Sequence, residues 1–275
     1  SHILLHRRLR EDEKVNKIKW GKILSKTYGG KNNEKIRAGH IIKLSDKEVT
    51  ERQIFKPYIR KCKNNKIKLK ISLNEFLTYI YKKCHYCGVS ESNEVSYFRR
   101  GTKIKYNGID RMDSKGDYEK NNIVTCCSTC NYFKRGLSIK DFFTWVSKIY
   151  NNKKSEKREI TINNTEKKLL FRIYSNIKSR ANRYPMLFTL EFEVFCKFAL
   201  QNCHYCGSGL SNKYKKKDVE IAYNGLDRID NTKGYVIDNV VSCCAHCNRA
   251  KGTMAVKEFE NHINKIYKYN RRFYE

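Results

Sequence analysis

Cys84-His85-Tyr86-Cys87-Gly88 returns as Cys203-His204-Tyr205-Cys206-Gly207, and two further blocks downstream of the first copy return downstream of the second. In the first copy they are Tyr106-Asn107-Gly108-Ile109-Asp110-Arg111-Met112-Asp113 and Cys126-Cys127-Ser128-Thr129-Cys130-Asn131. Their counterparts are Tyr223-Asn224-Gly225-Leu226-Asp227-Arg228-Ile229-Asp230 and Cys243-Cys244-Ala245-His246-Cys247-Asn248. A folding unit has been duplicated, and each copy carries two CxxC knuckles. Paired knuckles supply the four thiolates that one zinc ion takes in a tetrahedron. The expected ligands are Cys84, Cys87, Cys127 and Cys130 in one copy and Cys203, Cys206, Cys244 and Cys247 in the other. Such sites are closed, so two structural zinc ions should hold the fold rather than catalyse. A module this small has little core and needs that staple.

Eight of the 12 cysteines fall in these knuckles, a spacing suited to chelation and poor for disulfides. Reduced thiols imply a reducing compartment. Cys126 and Cys243 read as packing inward, with a CxxxC ligand role as the alternative; Cys62 and Cys196 read as ordinary buried thiols. His85, His204 and His246 lie inside knuckles, as phosphate contacts or a solvated face rather than fourth ligands.

The 275 residues carry 58 Lys+Arg against 28 Asp+Glu, a net charge of +30. That excess calls for a polyanionic partner, and nucleic acid is the commonest. Mean hydropathy is −0.74 and no long apolar run exists, which excludes a membrane-spanning helix. Abundant Lys, Asn, Ile, Tyr and Phe with 2 Pro suggest AT-rich coding, as in an organelle, virus or mobile element. Localisation is thus expected in an organelle (mitochondrion or plastid) or a virus- or phage-infected cell. Ser1 in place of Met implies a start lying upstream, and no secretory apolar segment is visible.

Residues 1–54 have no counterpart in the repeat and read as a basic N-terminal extension, with a helix over 4–24 and a short strand over 39–44. Module 1 spans 55–150, a polar linker 151–171, and module 2 172–275. In each, a basic helix precedes an amphipathic one; Ser72 should cap the helix bearing Phe76, Tyr79 and Ile80. Variable basic loops, 89–105 and 208–222, come next as hairpin tips or nucleic-acid contact loops. Residues 104–112 and 221–229 read as one strand each, running up to Asp-Arg. Lys115-Gly116 and Lys233-Gly234 make turns, and second strands end at the second knuckles. Helices start near Cys130 and Cys247, and final helices over 139–150 and 256–267 should each close their own small core. The fold class is α+β: two tandem zinc-stapled ββα modules flanked by helices.

The order of knuckle, strand ending in Asp-Arg, Lys-Gly loop, strand with Asn, knuckle and helix beginning Cys-Asn-x-x-Lys resembles the HNH endonucleases, the His-Me finger or ββα-metal family. The likeness is to its zinc-stapled phage, viral and organellar members, and it covers both repeats. It implies a Mg²⁺ held by Asp110 with Asn131 and by Asp227 with Asn248, where it would stabilise the scissile phosphate and the leaving oxygen. It also implies that Asn122 and Asn239 orient the site loop. The residue after the aspartate is in that family a histidine that deprotonates water. Here it is Arg111 and Arg228. Guanidinium stays protonated and cannot serve as that base, though it can clamp a phosphate. Tyr106 or Tyr223 could substitute only with a strongly lowered pKa. The other reading of Asp110, Arg111 and Asp113 is a salt-bridged loop brace.

Three functions compete. The favoured one is a nucleic-acid-binding protein with cleavage weak or lost, including a structural RNA-binding role in a ribonucleoprotein such as an organellar ribosome. Lys134, Arg135, Arg249 and Lys251 are expected at phosphates, and Tyr97, Phe98, Tyr132, Phe133 and Tyr214 on unpaired bases or in the core. The second is an active Mg²⁺-dependent homing- or phage-type DNA endonuclease whose two modules act as a pseudo-dimer. The third is a zinc adaptor that binds protein.

Overall fold

The computed structural model describes residues 46–97, 102–152 and 159–274. The helix expected over 4–24, the strand expected over 39–44, and Phe98 lie outside the described residues. The chain divides into two compact units, 1–52 and 53–275. The described part of the first holds a short helix, α1 (Asp46–Thr50).

The second unit is α+β and contains both repeats. Module 1 runs α2 (Lys56–Asn64), α3 (Leu73–Ile80), β1 (Asn93–Tyr97), β2 (Thr102–Tyr106), β3 (Gly108–Arg111), β4 (Ile123–Cys126), α4 (Ser128–Lys134) and α5 (Ile139–Tyr150). Module 2 repeats the order as α6 (Asn164–Arg183), α7 (Phe192–Ala199), β5 (Asn212–Lys216), β6 (Val219–Tyr223), β7 (Gly225–Arg228), β8 (Val240–Cys243), α8 (Ala245–Lys251) and α9 (Val256–Tyr269). Each sheet is an antiparallel pair: β1–β2, β3–β4, β5–β6 and β7–β8. The variable basic loops are the hairpins β1–β2 and β5–β6.

Local signals explain the elements that frame the site. Ser72 caps α3 by accepting from the Glu75 amide, while the Glu75 carboxylate accepts from the Ser72 amide. A cap of this kind is worth about 1 kcal/mol. Phe76 and Ile80 then drop into the module 1 core with Ile54, Phe55, Ile71, Ile109 and Ile123. Module 2 builds its own core from α6, α7 and strands β6 to β8, around Leu170, Phe195, Ala199, Leu226 and Val240.

Three expectations change. The single strand expected over 104–112 is broken at Asn107, which is fully buried between β2 and β3. Its carboxamide oxygen accepts from the Ser92 amide and hydroxyl, and its nitrogen donates to Lys82, Val89 and Ser90 carbonyls. Five local groups thus satisfied by one side chain let the strand leave one hairpin and enter the other. Asn224 does the same in module 2. Second, α6 begins inside the stretch read as linker. Asn163 caps it in a box with Glu166, and Leu169, Leu170 and Ile173 bury its inner face.

Third, the final helices do not close separate cores. α5 and α9 face each other across one shared core that contains both cysteine quartets and Phe133, Phe142, Trp145, Phe259 and Ile263. Tyr150 and Tyr267, each the twelfth residue of its helix, stack at 3.7 Å and 5°. Equivalent residues meeting face to face mark a pseudo-two-fold axis between the repeats.

Candidate metal centres and ββα sites

Each first knuckle is a tight turn docked on its sheet. Gly88 donates to the Cys84 carbonyl at 2.9 Å, and His85 donates to the Thr125 carbonyl of β4 at 2.8 Å. Gly207 and His204 repeat both bonds, to Cys203 and Ser242, at the same distances. Gly88 and Gly207 have φ of 70° and 66°, the left-handed region that suits glycine. Each second knuckle opens a helix. Cys127 and Cys244 are the N-caps of α4 and α8, and their sulfurs accept from the amides of Cys130 and Cys247 at 3.3 and 3.4 Å.

The four sulfurs of each quartet lie within 4.8 Å of one another and are buried. Cys87 and Cys127 are 3.7 Å apart, and Cys206 and Cys244 3.8 Å. A zinc–sulfur bond of about 2.3 Å in a tetrahedron gives an edge of about 3.8 Å. The donor sets therefore fit zinc, four ligands each, leaving no open position. Hydrogen bonds from neighbouring thiols, first Cys126 for Cys84 and first Cys206 for Cys203, hold these two groups far below the ordinary thiol value, while burial pushes Cys130 up and the bond with Cys203 pushes Cys247 up. Cys126 and Cys243 stay outside the quartets, and each is buried with its sulfur toward the next residue's carbonyl.

In the ββα motif, Asp110 on β3 is 6% exposed. Its Oδ2 accepts from the Tyr86 hydroxyl at 2.7 Å and pairs with Lys134 Nζ at 3.1 Å; that ammonium also donates to the Arg111 carbonyl at 2.7 Å. Module 2 repeats the cluster: Tyr205 to Asp227 at 2.6 Å, Lys251 to Asp227 at 3.0 Å and to the Arg228 carbonyl at 2.9 Å. Burial raises the Tyr86 and Tyr205 phenols well above their ordinary value, so they remain donors. Burial also raises Asp110, against the pull of Lys134 and Tyr86. Lys134 and Lys251 are expected from the sequence at phosphates. Both are instead fully buried, because a helix whose inner face meets an aspartate can seat an ammonium there.

The remaining motif residues brace the loop between the strands. Arg111 donates to the Gly116 carbonyl at 2.6 Å and lies over the Tyr118 ring. Arg228 donates to the carbonyls of Asn231 and Lys233 and lies over Tyr235. Asn122 accepts from the Asp113 amide and donates to the Asp113 and Asp117 carbonyls. Asn239 does likewise with Asp230 and Gly234. Asn131 is half-buried on α4, and Asn248 donates to the Leu226 carbonyl at 3.2 Å. Burial raises Tyr106 and Tyr223, the opposite of what a substitute base would need.

Arg135 and Arg249 are exposed beside these sites. Arg135 ends α4 at φ 50°, ψ −119°, with its guanidinium 4.6 Å over the Tyr132 ring. Module 2 places Gly252 at nearly the same backbone angles, φ 53° and ψ −122°. Next to Asn248, a polar groove of about 480 Å³ is lined by Arg180, Asn212, Tyr223 and Arg228. Sequence reasoning missed Tyr86, Tyr205, Trp145 and His262. The two tyrosines are identical in both repeats, which was a usable signal.

No protein-family model matches the chain. Over 184 residues, 66% of its length, the chain is 30% identical to "Uncharacterized protein R423" of Acanthamoeba polyphaga mimivirus. It spans 30% of that protein's length. Among solved structures it is similar to the rare-cutting HNH restriction endonuclease PacI, at 23% identity and a TM-score of 0.29, over 38% of this chain and 77% of that one. No described helix is long and apolar enough to cross a membrane.

Proposed function

We propose that the chain binds nucleic acid through two zinc modules of HNH type, and that its ββα sites do not hydrolyse phosphodiesters. One observation carries this reading: in both copies a buried lysine ammonium sits on the strand aspartate. Family chemistry would ask that aspartate to hold Mg²⁺ with Asn131 or Asn248. A dication placed beside Lys134 or Lys251 would meet like charge away from solvent, where repulsion is strong. The carboxylate oxygen is also already shared by a phenol and an ammonium. These residues do not fit Mg²⁺; the lysine supplies the positive charge in its place. Arg111 and Arg228 cannot act as a base and are engaged as loop braces.

Binding is supported by the net charge of +30 and by Arg135. A non-glycine residue held where its counterpart is glycine carries strain, and strain retained at an exposed arginine is a mark of function. The partner is DNA or RNA. A ribonucleoprotein and a virus-infected cell each provide one, and the mimiviral relative favours the second setting.

Fluorescence anisotropy with labelled duplex DNA, single-stranded DNA and RNA across a salt series tests the reading. Affinity should fall linearly on logarithmic axes as salt rises and vanish with a zinc chelator. Weak, salt-insensitive binding to all three would favour an adaptor that binds protein.

A further inference from the structure

Trp145 belongs to α5 of module 1, yet its indole Nε1–H donates to the sulfur of Cys247 in the module 2 quartet at 3.2 Å. His262 belongs to α9 of module 2, and its Nε2 lies 3.2 Å from the sulfur of Cys130 in the module 1 quartet. Trp145 and His262 are each the seventh residue of their helix; Cys130 and Cys247 are each the third of theirs. The exchange is therefore reciprocal about the pseudo-two-fold axis. Tryptophan and histidine differ in size and polarity, but both carry a ring N–H, and that is the feature the two positions share. A second exchange accompanies the first. Asn152, just past α5, donates to the His204 and Tyr205 carbonyls of the module 2 knuckle at 2.9 and 3.0 Å. Asn270, just past α9, donates to the Tyr86 carbonyl of the module 1 knuckle.

We propose that Trp145 and His262 are reciprocal positioning residues for the two zinc centres, each donating an N–H to a metal-bound thiolate of the other repeat, so that the two sites form one interdependent unit. A zinc ion with four thiolates carries two net negative charges. Buried in the aromatic core that both quartets share, such a cluster needs hydrogen-bond donors to be tolerated. Backbone amides within each knuckle supply some of them. The opposite repeat supplies another, at Cys130 in one quartet and at Cys247 in the other. On a thiolate, which can only accept, the His262 nitrogen must carry the proton. Separating the modules would strip each cluster of this donor, so neither site is complete in its own repeat.

The test uses the full-length protein loaded with NMR-active cadmium, giving one resonance per quartet, assigned through the cysteine side-chain protons. In the unsubstituted protein the Trp145 indole proton should show scalar coupling to the cadmium of the Cys203 quartet. Trp145→Phe should shift that resonance and leave the Cys84 quartet's resonance in place; His262→Phe should do the reverse. In the zinc-loaded protein, each variant should speed release from the opposite site to a chromophoric chelator about tenfold or more, the usual effect of losing such a partner. His262→Gln, which keeps an N–H, should restore slow release. Absence of the indole–cadmium coupling, or shifts confined to the substituted residue's own repeat, would overturn the proposal. The coupling needs no substitution and so does not depend on how a variant folds.

Discussion

Lys251 Nζ lies 3.0 Å from Asp227 Oδ2, with the lysine side chain wholly out of solvent and the aspartate 4% exposed. Lys134 and Asp110 repeat the pair at 3.1 Å. A buried ion pair costs desolvation, and removing one partner leaves an uncompensated charge. Lys251→Met should therefore destabilise the zinc-loaded protein by about 3–5 kcal/mol in urea unfolding. Adding Asp227→Asn should recover much of that loss. A wild-type unfolding midpoint for the single variant would mean the pair holds nothing together.

Glu75 gives a pH prediction. A hydrogen bond from Lys120, then those from Ser72, lower its carboxyl from 4.5 to about 2. An acid depressed on folding contributes stability that is present above its unfolded value and lost as pH falls through its folded one. The window here runs from 4.5 down to about 2. At pH 4.5, where an ordinary glutamate is half protonated, the Glu75 carboxyl carbon should still show its ionised NMR shift. A half-way shift at that pH would mean that the Lys120 and Ser72 bonds to this carboxylate do not hold together in solution.

Arg135 occupies backbone angles that module 2 gives to Gly252. Arg135→Gly should raise stability by about 1 kcal/mol, since glycine adopts that conformation without strain. The same change should weaken nucleic-acid binding and lower the salt slope by about one. A variant that is more stable and binds unchanged would remove Arg135 from the interface.

Asn107 satisfies five groups around the strand break. Asn107→Ala removes the partner of the Ser92 amide and of the Lys82 and Ser90 carbonyls, at about 1–3 kcal/mol for an unsatisfied group. Loss of slow amide exchange at Ser92 and in the Cys84 knuckle should accompany the drop in stability. Unaltered exchange there would place the break's support elsewhere.

The knuckles were legible because four ligands at fixed spacing are a local requirement. The ββα order was legible for the same reason, strand by strand. The break at Asn107 was not, since the residues on either side read as one continuous strand. Lys134 and Lys251 were misread because a lysine on a short helix ordinarily faces water, and only tertiary packing brings an aspartate beneath it. Comparing the repeats with each other held the clue. Tyr86, Asn107 and Lys134 are identical to Tyr205, Asn224 and Lys251, whereas exposed Tyr132 and Arg135 became Arg249 and Gly252. Trp145 and His262 left no such trace, because their shared role rests on a ring N–H rather than on residue identity. The shared core was hidden too: an amphipathic helix shows that it has a partner, not which one.

Whether the ββα sites are catalytically silent is tested most directly by incubating the zinc-loaded protein with supercoiled plasmid and Mg²⁺ or Mn²⁺, then reading both retardation and nicking on a gel. Silent sites predict retarded, intact plasmid, with Asp110→Ala and Asp227→Ala no different from wild type in nicking. Metal-dependent nicking that disappears in those two variants would contradict them.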